Sequence, residues 1–398
     1  MGNTLRRMVT GYIHVRARDF WLATVAVLYG GLCAIASVAP VHAQSSVPGV
    51  AAVDVPHIAL LLPIESSVFR RHAEALRDGF LAASKAQGQQ TLIIRVYAVG
   101  DDAKQASAIY QQATQTGARL VVGPLIRSAV TAVAAGEVSV PTLALNAPIG
   151  SAPNRPNLHV ISLQIETEAR QAARLAYREG RRNVYTVTGD SPLLKRLQQA
   201  FIEEFTKLGG KLVAEFAYNP SPAELTRLKQ AVELRVADMV FLALDLRQAR
   251  TVRAQLEPLA VYASSQVYIG DAGPAAGIDL AGVTFFDMPW LIKRDHPAVM
   301  IYPRPDFGGE TDLERLYALG IDAWRIGQAL LSKQADLTLD GVTGKLTLAR
   351  DRHFARELVS ARIGAHLPLA APIAPLAPTG PLSAPAPGAP PKPVPAKP

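Results

Sequence analysis

Cysteine is nearly absent from this chain, with one in 398 residues, Cys33. It lies in a segment expected to be removed on export, so the mature protein would have no disulfide and no thiol nucleophile and must be stabilised by its core. Other absences narrow the chemistry. The histidines of the body (His57, His72, His159, His296, His353 and His366) are scattered, with no HExxH or paired spacing for zinc. There is no GxSxG elbow. The glycine-rich stretch from Gly270 to Gly277 lacks the GxxxxGK[ST] order of a phosphate loop. No catalytic constellation emerges, so no enzymatic activity and no cofactor are expected. A clustered stripe of Lys and Arg is also missing. Arg6, Arg7, Arg16 and Arg18, set against Asp19, supply three of the eight net positive charges, and Lys392 and Lys397 two more. The little charge left on the body argues against a nucleic-acid partner.

Both ends differ in composition from the body. A basic stretch, Arg6 to Arg18, precedes an apolar run from Phe20 to Ala39, and Val41-His42-Ala43 fits a small-residue cleavage site. Residues 1–43 therefore read as a signal peptide cleaved after Ala43, with 44–56 as a linker. The mature form would carry no stable membrane span and be periplasmic. An uncleaved anchor is the rival, because the run is long enough to cross a bilayer. Residues 365–398 are a Pro/Ala-rich tail that cannot bury apolar area, expected to be disordered and to act as a solvated arm, a spacer or a partner-binding segment.

Between the ends, strand and helix patterns alternate. Ile58 to Leu62 is a continuous apolar run ended by Pro63, the mark of a strand buried on both faces. A short polar loop follows, then a helix expected to present Phe69, Ala73, Leu76, Phe80 and Leu81 on one face. Asp101-Asp102 sit where a helix cap belongs. A second series is expected to open at Leu158–Leu163 and to include Asp238–Leu244, Gln266–Ile269 and Val283–Phe286 as strands. The pattern turns irregular over 289–309 and closes with a long helix, 311–332. Alternation at this spacing predicts parallel sheets flanked by helices.

IALLLP at 58–63 and ALRDGFLAA at 75–83 resemble the opening of type I periplasmic binding proteins. VVGPLIRSAV (121–130), PTLALN (141–146), FFDMPWL (285–291), RLYALGIDAWRI (315–326) and GVTGKLTL (341–348) carry a narrower likeness. Through them the chain, over roughly Val55 to Arg362, resembles the penicillin-binding-protein activator family, the LppC-type lipoproteins. The resemblance implies an α/β, two-lobed type I periplasmic-binding-protein fold. Lobe 1 would comprise 57–157 and 288–335, and lobe 2 158–287 and 336–364. It also implies a non-enzymatic regulator of peptidoglycan synthesis that stimulates a bifunctional, class A penicillin-binding protein. The alternative is a solute-binding protein of an importer for an amino acid or amide.

Two departures from that family stand out. Leu32 before Cys33 makes a poor lipidation site, so no lipid anchor is expected there. Only about a dozen residues separate the expected cleavage site from the first strand, so the N-terminal helical-repeat domain that members of the family can carry is not expected here.

Ligands of open α/β sheets sit beyond the carboxyl ends of strands. The cleft candidates are therefore Glu65, Ser66, Ser67, Gly123, Pro124, Asn146 and Ala147 in the first lobe. Those in the second are Gly189, Asp190, Asp245 and Asp271. Some have an ordinary reading too: a plain strand-to-helix turn for Glu65, Ser66 and Ser67, a tight turn at Gly123, and an N-cap or turn residue at Asp271. A small cleft ligand and the activator's partner protein are thus both open on the residues alone.

Overall fold

In the computed structural model, residues 55–364 are described except 89–91, 151–152, 154, 271–273 and 335. The segments expected to be a signal peptide, most of the linker and the tail lie outside them. Elements run in the order β1 (His57–Leu62), α1 (Arg70–Gln87), β2 (Ile93–Ala98), α2 (Ala103–Gln115), β3 (Ala118–Val122), α3 (Arg127–Ala135), β4 (Thr142–Ala144) and β5 (Leu158–Val160). They continue with α4 (Ile165–Arg178), β6 (Asn183–Thr188), α5 (Pro192–Lys207), β7 (Lys211–Ala217), α6 (Pro222–Glu233), β8 (Met239–Ala243), α7 (Leu246–Arg253), β9 (Ala260–Ala263) and β10 (Thr284–Asp287). The last are α8 (Pro289–Ile292), α9 (Pro297–Met300), α10 (Thr311–Leu331), β11 (Thr338–Gly341), β12 (Gly344–Leu348), β13 (Phe354–Glu357) and β14 (Val359–Arg362).

Two sheets carry the architecture. The first has the order β2-β1-β3-β4-β5 and is parallel throughout; the second has the order β14-β10-β9-β8-β6-β7, parallel except for β14, which runs antiparallel to β10. The continuous apolar runs are explained by burial on both faces. Ile58, Leu60 and Leu62 of β1 join one core with α1 and α10, while Ala59 and Leu61 join another with α2 and α3. On β8, Val240 and Leu242 pack on the α6–α7 side, and Met239 and Phe241 on the α4–α5 side. Alternation of side chains along a strand divides one apolar run between two cores.

Local signals place the helix starts. Asp102 accepts from the Lys104 amide (2.9 Å), Ser191 caps α5, Ser221 caps α6, and Asp245 and Gln248 form a reciprocal capping box on α7.

Several elements differ from the sequence expectation. Gln266–Ile269 is not a strand. Ser265–Val267 forms a 3₁₀ turn, and the strand lies upstream at β9. The amides of this segment are already taken: Ser264 Oγ accepts from Gln266 N and Glu168 accepts from Ser265 N, so neither is free for a ladder. β5, expected to open the second series, is the edge strand of the first sheet. The inner face of α1 is Ala73, Leu76, Phe80 and Ala83; Phe69 precedes the helix, and both it and Leu81 are exposed. The irregular stretch 289–309 contains the short helices α8 and α9. A third, antiparallel sheet, β11-β12-β13, buries Leu337, Val342, Leu346 and Phe354 in the core shared by β1, α1 and α10.

Candidate functional site

Where elements of the two large sheets face each other there is a cavity of about 550 Å³. Its walls come from the first turns of α4 and α10, the end of β10, the Ser265–Gln266 turn, and Leu125 and Asn146. The size falls within the usual range for a small-molecule site. Its floor, however, is ionic. Helix α10 packs with the first sheet, yet Nη2 of its Arg315 donates to Asp287 Oδ2 on β10 of the second sheet at 2.6 Å. Its Nη1 donates to Asp312 at 2.6 Å, and Nη2 also reaches the carbonyls of Ser265 and Tyr268 at 3.3 and 3.4 Å. One guanidinium fork therefore ties α10 to β10 and to the turn after β9, using the planar multi-donor geometry that lysine lacks.

Two more buried charges surround this bridge. Glu168 of α4 accepts from the Ser265 amide at 2.9 Å, and Arg356 of β13 donates to the Thr343 carbonyl at 3.1 Å. Burial, and then the Asp287 charge, push the Glu168 carboxyl up to about 7. Burial alone would lower the Arg315 guanidinium, but Asp287, Glu168 and Asp312 outweigh it and the net shift is upward. Arg356 is lowered, chiefly by burial. Behind the cavity, the wholly buried Asp322 of α10 accepts from Val342 N (3.0 Å), Thr343 N (2.8 Å) and Thr343 Oγ1 (2.6 Å), fixing the β11–β12 turn to the helix.

The raised Glu168 gives a pH signature. The folded protein holds a proton that the unfolded chain releases near 4.5, so this stabilisation is full below that value and is lost as pH rises through about 7. Replacing Glu168 by Gln should flatten the decline of unfolding free energy between about pH 5 and 7.5, as measured by urea titration. A variant with the slope of the parent would show that another group titrates there.

The residues expected at strand ends are dispersed. Asn146 lines the cavity, its Nδ2 donating to the Leu125 carbonyl. Ala147 lines a neighbouring cavity of about 490 Å³. Glu65 is exposed and accepts from Gln105 at 3.5 Å, and Ser67 and Asp190 are also exposed. Ser66 is fully buried, but its hydroxyl accepts from the amides of Val68 and Phe69 and so holds the turn that leads into α1. Gly123 has φ +114° with the Leu61 carbonyl against its α-carbon, which leaves no room for a side chain, and Pro124 accepts from Leu145 N. Gly189 abuts the Gln248 side chain, and Asp245 is spent on its capping box. Asp271 lies outside the described residues.

The charged floor was not read from the sequence. Asp287 and Arg315 do lie within FFDMPWL and RLYALGIDAWRI, the two stretches that carried much of the resemblance. Among the described residues no group of His, Cys, Asp and Glu could hold a metal, and no helix is long and apolar enough to cross a membrane.

The family model described as "LppC putative lipoprotein" matches residues 36–364. The chain belongs to the LppC family. Among curated proteins, this LppC chain is 29% identical to "Penicillin-binding protein activator LpoA" of Pantoea ananatis over 313 residues, 67% of this chain and 46% of that protein. The chain spans about half the length of the curated relatives it matches.

Among solved structures, one named a "putative branched-chain amino acid ABC transporter" from Chromobacterium violaceum is 39% identical, with a TM-score of 0.68, covering 77% of this chain and 99% of that one. The C-domain of LpoA from Haemophilus influenzae, itself named a regulator of PBP1A, superposes with a TM-score of 0.65 at 24% identity, covering 77% of this chain and 97% of that domain. These likenesses establish the two-lobed type I periplasmic-binding-protein fold for this LppC member.

Proposed function

We propose that this LppC chain is a non-enzymatic periplasmic regulator of peptidoglycan synthesis that stimulates a class A penicillin-binding protein. The observation that carries this reading is the Arg315 bridge. Solute-binding proteins of this fold open and close about a hinge and leave donors free in the cleft for the ligand. Here the guanidinium on the cleft floor is committed to Asp287 and Asp312, and doing so joins the two sheets. A body latched in this way presents a fixed outer surface to a protein partner. The name of the curated relatives, penicillin-binding protein activator, supports the same reading. We draw the lobes by sheet membership, with β1–β5, α10 and the β11–β13 sheet in one, and β6–β10 and β14 in the other.

A second reading rests on the Chromobacterium neighbour and on the roughly 550 Å³ cavity: a solute-binding protein for a small amino acid or amide. Asn146 and Ala147 are the expected cleft residues that line cavities in this arrangement. Ser66 would contribute only through the turn it holds before α1, since its hydroxyl oxygen accepts from two backbone amides.

One pair of measurements separates the readings. Glycan polymerisation by a class A synthase from the same organism should accelerate when this protein is added. Calorimetry with leucine, isoleucine, valine and glutamine should show no binding. A micromolar or tighter amino-acid complex, with polymerisation unchanged, would overturn the regulator in favour of the transporter component.

A further inference from the structure

Helix α4 carries Arg170, Arg174 and Arg178 four residues apart, hence along one face. All three line a cavity of about 720 Å³ between this helix and the β12–β13 hairpin. The hairpin turns its exposed face to the cavity, with Lys345 and Thr347 on one strand and Ala355 and Glu357 on the other. Leu346, Phe354 and Arg356 are buried beneath.

This cavity does not end at the hairpin. It shares Val160, Gln164, Asp351 and His353 with the roughly 490 Å³ cavity, where Arg127 and Arg155 are added to the lining. Those two guanidiniums bond to the backbone carbonyls of Ala147 and Pro148 and of Ala134 and Ala135, so their charge is not neutralised by a carboxylate in these contacts. Gln164 and Arg170 also line the cavity between the sheets. The two outer cavities thus adjoin as one groove with arginines along its length, distinct from the ionic floor between the sheets.

The charge of this groove is largely uncompensated. Neither Arg170 nor Arg178 forms an ion pair among the described residues. Arg174 spends Nε on Glu204 at 2.6 Å and keeps its other two nitrogens. The acidic groups on the outer cavity walls are Asp351, on the turn beside Arg350 and Arg352, and Glu357, which stands opposite Lys345 across the hairpin.

The spacing selects the ligand. Four residues of helix advance about 6 Å, and two residues of extended chain advance about 6.6 Å. Alternate side chains of an extended peptide would therefore meet Arg170, Arg174 and Arg178 in step. The floor of small and polar side chains (Thr347, Ala349 and Ala355) leaves room for such a backbone.

We propose that this groove is a docking site for an extended polypeptide segment with carboxylates at alternate positions. The proposal goes beyond the regulatory reading and does not require it, since either a synthase or another envelope protein could supply the segment.

The probe is a fluorescein-labelled ten-residue peptide of alternating Glu and Ser, followed by fluorescence anisotropy with the whole protein at low salt. A peptide of five Glu followed by five Ser carries the same charge in the wrong spacing. Oligogalacturonate offers carboxylates on a glycan. The alternating peptide should bind tightest of the three. Arg170→Glu with Arg178→Glu should weaken it roughly tenfold, the order expected when two solvent-accessible ion pairs become repulsions. Arg227→Glu with Lys229→Glu, on α6 across the second sheet, should leave affinity nearly unchanged. If the Arg170 variant fails to fold, judged by its melting curve, the exposed pair Arg178→Glu and Lys345→Glu is read in its place. Equal binding of the two peptides, equal loss in the α6 variant, or tighter binding of oligogalacturonate would each overturn the proposal.

Discussion

Replacing Arg315 by Met should cost about 3–5 kcal/mol of stability, the loss typical when one partner of a buried ion pair is removed. The reason is what stays behind. Asp287 is 2% exposed and would keep, among the described residues, the hydrogen bond from the Met288 amide, 2.8 Å from Oδ1. Glu168 would lose the nearby positive charge that opposes its desolvation. The carbonyls of Ser265 and Tyr268 would lose a donor as well. Methionine matches the stem of arginine in bulk, so the loss reports on charge and hydrogen bonding more than on a cavity. Arg315→Lys should fall between the two, because an ammonium keeps the charge but cannot address Asp287, Asp312 and two carbonyls from one plane. The check is urea unfolding at neutral pH, with the midpoint shift read at constant m. A Met variant within about 1 kcal/mol of the parent would mean that the bridge does not hold the two sheets together.

The second large effect belongs to Gly320 on α10, where α10 crosses α1. A methyl at Gly320 would run into the Leu76 carbonyl and the Phe80 amide, and one at Gly79 into the Tyr317 carbonyl. The two helices therefore touch backbone to backbone, and each glycine makes room for the other helix. Gly320→Ala should cost about 2–3 kcal/mol even though alanine is the better helix former by about 1 kcal/mol, because α1 must move off α10. Gly320→Val should exceed about 4 kcal/mol and leave little soluble protein. Since the displacement is shared, Gly79→Ala combined with Gly320→Ala should cost less than the sum of the two single changes. Calorimetric melting temperatures test this. A Gly320→Ala protein that melts with the parent would show that the helices separate freely.

How much of this was legible beforehand follows from the range over which each feature is decided. The apolar runs at β1 and β8 announce strands buried on both faces, because no other short element needs five consecutive apolar side chains. Asp102 announces a helix start, because an oxygen two residues before a free amide can cap it wherever the helix goes. The motif stretches announced the family. Such features depend on neighbours in the chain, and the sequence by itself determined them.

The cleft depends on partners far apart in the chain. Arg315 meets Asp287 across 28 residues and Glu168 meets the Ser265 amide across 97. Each of these side chains, read locally, is an ordinary polar residue near a helix start or strand end. Ser66 shows the converse. Its hydroxyl could equally have faced a ligand or the next amides, and the bend into α1 turned it to the amides. The same holds for the α4 arginines: their common face follows from helical spacing, but whether it met solvent, a carboxylate or a groove depended on where the β12–β13 hairpin packed. Tertiary structure alone decided these matters, because the energy of a charge or a hydroxyl is set by what surrounds it once water is excluded, and that is supplied by distant parts of the chain.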